Sequence, residues 1–429
     1  MNLSKIDYYY KKVGEKAAKR LKWGSFFMAY PYFTIVQNVS FFFMIFFYVQ
    51  ASRLPLKLFR VHNLMGLIAV VYMFGAVAST ISSGFIMGSV FFDFSIRVLP
   101  NYIYWGLLII TLGNSALKLI PLLDFYKIFF YSIIALIVTY FFLASYLKGL
   151  PVYRNVTQNN FAFVLIIFSP MATYYVSKHW NNFVYTAIFI AVVTTAGFMS
   201  GSRSGSLLTL LGCGMVLALG NWVRLTILGF CSLLLYFLAP TIINSGPVKS
   251  TIFRLNERTY DFIYNNEETL ATDRSYLTRL AMIEKGLNIF EQYPITGIGL
   301  GNFAQMEGEI DFNFEGAEWI ENKEEELKKN INPHNSYISF LSEGGLLLFI
   351  PAVALWFLPI IYFMFNYNRV TEDERAVFIG LVVMCIHASA IAGMVNVYGW
   401  FLLGIANAIM INKRNGENRV PLPQQLHKG

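Results

Sequence analysis

The chain has 429 residues, 56% of them hydrophobic, 17% aromatic and 14% charged, with a net charge of +8 and a mean hydropathy of +0.51. A soluble domain carries about 25% charged residues, so a soluble globular fold is excluded. Runs of roughly twenty apolar residues fit a hydrocarbon core about 30 Å thick, and backbone groups in lipid must bond internally, so these runs are helices; the short alternating segments of a transmembrane barrel are a different pattern.

The predicted fold is all-α, a polytopic helical membrane bundle of 11–12 transmembrane helices. Residues 1–24 read as a basic cytoplasmic N-terminus carrying Lys11, Lys12, Lys16, Lys19, Arg20 and Lys22. The apolar run after it is too long for a signal h-region and has no small-residue cleavage site, so the segment reads as retained. Apolar runs then fall at 25–49, 63–83, 102–120, 125–147, 161–177, 183–199, 205–220, 222–240, 337–365, 376–393 and 395–411. Pro31, Gln37, Asn38 and Ser40 interrupt the first, which reads as a hairpin of two short helices and brings the spans to twelve. Cys213, Cys231 and Cys385 all lie inside apolar runs and read as packing residues, not as a disulfide or metal site.

Residues 25–240 thus form an N-terminal bundle, 241–335 a large extracytoplasmic loop, 336–411 the C-terminal transmembrane helices, and 412–429 a cytoplasmic tail. The loop lies between the eighth and ninth apolar runs and holds 16 of the chain's 25 acidic residues but 9 of its 33 basic ones. Short cytoplasmic loops collect Lys and Arg, so this acidic loop belongs outside. Counting spans from it puts Lys178, the 118–127 and 53–60 connections, and the tail with Lys413, Arg414, Arg419 and Lys428 inside. Within the loop, Leu280, Ile283, Leu287 and Phe290 recur at helical spacing from Leu277, with Thr272 or Asp273 as cap and Pro294 as stop. This predicts an amphipathic helix along the membrane surface. Residues 315–329 read as a charged, solvated helix or lid.

Three segments at the outer face could carry chemistry. Ser200-Gly201-Ser202-Arg203-Ser204-Gly205-Ser206 sets one cation among hydroxyls at a helix start, which suits a phosphate and equally suits a tight turn with a snorkelling Arg. Asn332-Pro333-His334-Asn335-Ser336-Tyr337 holds His334, the one histidine of the loop. That residue type exchanges protons near neutral pH. Close behind it, Ser342-Glu343-Gly344-Gly345 reads as a helix break or packing feature, with Glu343 a hydrogen-bonding acid. The glycines of Tyr293-Pro294-Ile295-Thr296-Gly297-Ile298-Gly299-Leu300-Gly301-Asn302-Phe303 follow no strand and precede no Lys-Ser/Thr, so they read as a turn pinning the loop to the bundle rather than a nucleotide loop.

In order and spacing these segments resemble the O-antigen ligase and O-antigen polymerase family of bacterial membrane glycosyltransferases. The resemblance rests on Gly201-Ser202-Arg203-Ser204-Gly205, Arg279 with the 294–303 glycine segment, His334-Asn335-Ser336-Tyr337 and Glu343-Gly344-Gly345, and covers roughly residues 185–365. It implies transfer of a glycan from undecaprenyl pyrophosphate, at the outer face of a cytoplasmic membrane, to a lipid-linked glycan (polymerase) or to lipid A core (ligase). No nucleotide, metal or other cofactor is implied. Arg203 and Arg279 take the pyrophosphate-binding role by position and His334 the catalytic one; Arg97 is a further expected phosphate ligand without a motif to fix it. An aromatic residue usual shortly after the Arg279 position is replaced by Ala281, Met282 and Ile283.

A polysaccharide transporter or lipid flippase is the competing class. Such proteins place ionisable groups at mid-membrane, whereas the apolar runs here are almost free of them, with His387 the main exception, read as a packed, hydrogen-bonded group. The sequence therefore favours a transferase, with a lean towards the repeat-unit polymerase. Expected partners are the lipid-linked donor, a glycan acceptor, membrane lipids and polysaccharide assembly proteins, with no nucleic acid.

Overall fold

The computed structural model describes residues 3–51, 61, 63–143, 156–218, 246, 249–250, 253, 260, 264, 274–306, 333–389 and 397–415. The helices are α1 (Leu3–Met28), α2 (Thr34–Ala51), α3 (Leu64–Ile86), α4 (Ser89–Leu119), α5 (Leu122–Val138, prolonged by a π-helical turn over Thr139–Leu143) and α6 (Gln158–His179). They continue as α7 (Phe183–Met199), α8 (Arg203–Leu217), α9 (Arg274–Gln292), α10 (Ser336–Phe365), α11 (Glu372–Ala388) and α12 (Val397–Asn415). No strand occurs among the described residues, so the protein is a helical bundle. Five helices, α3, α4, α5 with its π turn, α6 and α10, are long and apolar enough to cross a membrane, and α2, α7 and α8 are shorter apolar helices. The eighth apolar run, the 315–329 segment, the Thr272/Asp273 cap and Cys231 lie outside the described residues.

Polar caps start the helices where the sequence supplies them. Asn63, Thr157, Asn182, Ser202 and Asn335 each accept a hydrogen bond from a backbone N–H of the first turn of the helix that follows, and Thr371 with Glu374 forms a capping box on α11. Each cap satisfies a donor that the helix itself leaves open.

The first apolar run divides into the expected hairpin of two helices, at Pro31, the first of its interrupting residues. The break falls at a 3-10 turn over Pro31–Phe33, while Gln37 and Ser40 are buried inside α2. Residues 3–24 are most of an amphipathic helix and not a tail, because Val13, Ala17 and Leu21 recur every four residues on its buried face. The helices α1 and α2 run antiparallel, with Lys16 Nζ 5.6 Å from the Phe47 ring centroid and Arg20 Cζ 5.1 Å from that of Phe43. A Lys22–Asp124 ion pair of 2.8 Å fastens the hairpin to the start of α5.

Small residues let the central helices touch. A Cβ on Gly75 of α3 would lie 2.5 Å from the Leu347 carbonyl oxygen of α10, and one on Gly113 of α4 would lie 2.2 Å from Asn407 Nδ2 of α12. Asn407 uses the space to donate to the Ile109 carbonyl (3.1 Å) and accept from Asn63 Nδ2 (2.7 Å). Such close, hydrogen-bonded contacts replace the hydrophobic driving force that lipid does not supply. Above them Trp105 and Trp400 stack at 5.5 Å, with Tyr72 4.9 Å from Trp400.

The helices alternate in direction, giving two faces. One bears Lys22, Lys178, Lys413 and Arg375, with ion pairs Lys178–Glu372 (2.8 Å) and Lys413–Glu374 (3.2 Å); the other, here the loop face, carries α9. If the Gly113–Asn407 contact holds α4 to α12, Gly113→Ala will lower the melting midpoint of the detergent-solubilised protein, by about 1–3 kcal/mol of overpacking. Adding Asn407→Ala will restore part of the loss, and a purely additive double variant would refute the contact.

Candidate active site at the loop face

Helix α10 is broken near its start. Gly345 has φ 56° and ψ −163°, so the backbone between Ser342 and Leu347 cannot complete its own helical ladder. The segment from Pro294 to Phe303 completes it. Ile298 N–H donates to the Ser342 carbonyl (3.1 Å) and Gly299 N–H to that of Glu343 (2.9 Å), while Leu346 and Leu347 N–H donate to the carbonyls of Pro294 (2.9 Å) and Ile295 (3.1 Å). At the crossing, a Cβ on Gly297 would lie 2.4 Å from the Glu343 backbone and one on Gly345 2.4 Å from that of Ile295. Both glycines have positive φ, which side-chain-bearing residues rarely adopt. The sequence reading of a turn pinned to the bundle is borne out, and its anchor is the helix break.

Side chains lock this plug further. Asn302, fully buried, donates from Nδ2 to the Phe91 carbonyl (3.0 Å), Ser95 Oγ (2.9 Å) and the Ile298 carbonyl (3.0 Å). Phe303 N–H donates to Glu343 Oε1 (3.3 Å), and Ser79 Oγ donates to the Glu343 carbonyl (2.8 Å). Glu343 is thus a buried acceptor for the plug. Ser79 and Ser95 carry no local signal that sequence reasoning could have used.

Helix α9 is the amphipathic helix expected from Leu277 to Pro294, observed over Arg274–Gln292. Its Ala281, Met282 and Ile289 pack with Ile298 and Phe303 in a separate apolar cluster. A Cβ on Gly286 would lie 2.2 Å from Ile338 Cγ2, so α9 crosses the first turn of α10 there. Arg279 stands two turns earlier on the same face and is half-buried, with its Nε fully enclosed. Lys285 Nζ lies 4.9 Å from the Phe303 ring, and burial lowers its pKa.

His334 precedes the cap of α10 with φ 45°, a left-handed conformation that is uncommon for a non-glycine residue and collects at functional positions. Asn335 then accepts from the N–H groups of Tyr337 (3.0 Å) and Ile338 (3.2 Å). Burial, and after it the Arg279 guanidinium, hold the His334 pKa below its ordinary 6.5. Arg279 thus lies close enough to His334 for its charge to act on the ring.

Arg203 opens α8 after a turn in which Gly201 has φ 85° and Ser202 Oγ accepts from Gly205 N–H (3.2 Å). A Cβ on Gly205 would touch Ala162 of α6 at 2.6 Å. The next residue of α6, Phe163, lies against His387 of α11 with ring centroids 5.7 Å apart. Tyr337 of α10 donates to the Cys385 carbonyl of α11 (2.9 Å). The loop-face ends of α6, α8, α10 and α11 thus meet near Arg279 and His334. Arg97 lies elsewhere: it is not in a loop but exposed within α4, one residue before Val98, which packs near Gly301. Among the described residues no group of three or more His, Cys, Asp or Glu is placed to hold a metal ion.

The fold and this face define a multi-pass helical membrane protein in which the segment after α9 is built into a broken helix. Residues 186–353 match the family described as O-antigen ligase. The matched stretch runs from α7 into α10 and contains Arg203, Arg279, His334, the plug and Gly345. No curated protein matches the chain.

The plug makes a specific prediction. Asn302→Leu keeps the branched heavy-atom shape but removes both Nδ2 donors, which serve three acceptors, and the loss is about 1–3 kcal/mol. Hydrogen exchange will accelerate in residues 293–306 before the rest of the bundle; unchanged protection there would show that the side chain is not the anchor.

Proposed function

We propose that the protein is a membrane glycosyltransferase that moves a glycan from undecaprenyl pyrophosphate to a hydroxyl of an acceptor glycan, at the outer face of a bacterial cytoplasmic membrane, as a polymerase of lipid-linked repeat units. The observation carrying this reading is His334, held in a left-handed backbone conformation beside the Arg279 guanidinium, at the face where the Arg203 turn also opens. The family match supports the donor chemistry in kind.

In the proposed step the acceptor oxygen attacks the anomeric carbon as the bond from that carbon to the phosphate oxygen breaks. Undecaprenyl pyrophosphate leaves with the bonding electrons, and the acceptor's proton passes to His334. A guanidinium is suited to the leaving group because its planar fork donates to two phosphate oxygens at once and neutralises charge as it develops. His334 is suited to the proton because its depressed pKa leaves it neutral near pH 7, with a lone pair to offer. One displacement at the anomeric carbon inverts it. Arg203 and Arg279 are assigned to the pyrophosphate and His334 to the acceptor. Arg97, exposed and in a helix, is assigned only to the approach of the anionic donor.

The family description favours a second reading, a ligase that delivers the glycan to lipid A core. Deleting the gene in its host and resolving surface polysaccharide on a gel separates the two. Loss of long chains with a single repeat still attached means polymerase; loss of all attached glycan with polymer retained on undecaprenyl pyrophosphate means ligase. An unchanged ladder, with no second copy of the gene, would refute both. In either case His334→Ala is expected to lower transfer about a hundredfold or more while the protein stays folded.

The pH profile tests the base. Measured as kcat/KM, which reports the free enzyme, the acid limb of transfer is expected below pH 6.5, the ordinary histidine value. Arg279→Gln removes the smaller of the two causes, so the limb moves up towards 6.5 without fully reaching it. A limb above 6.5 in the wild type, or one that moves down in the variant, would contradict the assignment.

A further inference from the structure

His387 is fully buried, and neither of its ring nitrogens has a hydrogen-bond partner. A buried polar group without a partner destabilises the fold unless something else requires it. The residue lies outside the 186–353 stretch matched to the family. Its place in the bundle is informative. It stands in the last turn of α11, two residues after Cys385, whose carbonyl accepts from Tyr337, three residues beyond His334. On its other side it packs against Phe163 of α6, next to Ala162 under the Arg203 turn. Helix α9 carries Arg279 on the face that meets α10 at Ile338, the residue after Tyr337.

We infer that His387 is a positioning residue of this site: a ring nitrogen accepts a hydrogen bond from the Arg279 guanidinium and orients that side chain towards the diphosphate of the donor. The inference rests on the donor reading proposed above. A guanidinium carries five N–H donors in a rigid fork and accepts none, so one edge can bind phosphate oxygens while another rests on the imidazole. A neutral imidazole offers one lone pair, and a position with no water access keeps it from being taken by solvent. A packing role alone calls for the ring's shape and not its nitrogens, and Phe would meet it better.

The test uses the full chain in detergent, with undecaprenyl pyrophosphate as the binding probe and thermal unfolding as a second readout. His387→Phe keeps the ring against Phe163 and deletes the acceptor; His387→Gln restores an acceptor near the outer ring nitrogen. Phe is expected to weaken binding of the probe about tenfold, the worth of a hydrogen bond to a charged group, and Gln less than about threefold. On an Arg279→Ala background, Phe is expected to have no further effect, since residues that act through one contact are not additive. Wild-type binding in the Phe variant would overturn the inference. So would equal losses for Phe and Gln, or an undiminished Phe effect on the Arg279→Ala background. If the wild type does not bind undecaprenyl pyrophosphate, the donor reading fails, and the melting midpoints of His387→Phe, Arg279→Ala and the double variant decide the pairing. Non-additive midpoints support the contact, and additive ones overturn it.

Discussion

A helix broken inside a membrane protein exposes carbonyls and N–H groups that lipid cannot satisfy. Helix α10 is broken at Gly345, and the four backbone groups it leaves open are taken up by the 294–299 backbone. Each bond serves both partners, since a plug without secondary structure of its own could not otherwise give up water at this depth. The site's geometry follows from this exchange. The plug fixes the end of α9, which carries Arg279, and the segment of α10 before the break carries the cap that holds His334. Residues more than fifty positions apart are thereby brought to one place.

The exchange also accounts for which side chains surround it. Gly297 and Gly345 cross with hypothetical Cβ distances of 2.4 Å, closer than any side chain allows. The acid at 343 receives the Phe303 N–H beyond the reach of the backbone ladder, and Asn302 spans to α4. Polar groups that would be costly in a lipid-facing span are here inside the protein, each donating or accepting at the plug.

Helical character, the amphipathic run of α9 and the pinned glycine segment were legible in the sequence, because each is a local pattern of period or turn residues. The misread boundaries have physical causes. Helix α4 begins at Ser89, thirteen residues before its apolar run, since Asp93, Arg97, Pro100 and Asn101 depress hydropathy without preventing a helix that rises beyond the membrane. Of the four residues named as interrupting the first run, Pro31 makes the break and Gln37 does not, because a buried glutamine is tolerated inside a helix while a proline removes a donor and restricts the residue before it. The basic start is the polar face of α1, visible only once Val13, Ala17 and Leu21 are seen to be buried together. The pairing of the plug with the α10 break was not legible: a glycine doublet and a glycine-rich turn each have a local explanation, and only the fold joins them.

On the proposed reading, Arg279 acts on both substrates through one charge. Without donor, its guanidinium adds to burial in holding His334 below 6.5, so the imidazole waits as a neutral acceptor. A bound diphosphate brings negative charge against the same guanidinium and offsets its effect on the ring. The histidine then becomes a stronger base when the leaving group is in place and a weaker one when the site is empty. Burial still opposes the imidazolium, so the proton taken from the acceptor is held only while the diphosphate remains. Departure of undecaprenyl pyrophosphate restores the unbalanced arginine charge and drives that proton off the ring. Placing the cation beside the base, rather than on the far side of the donor, links proton transfer to the presence of the leaving group without any moving part.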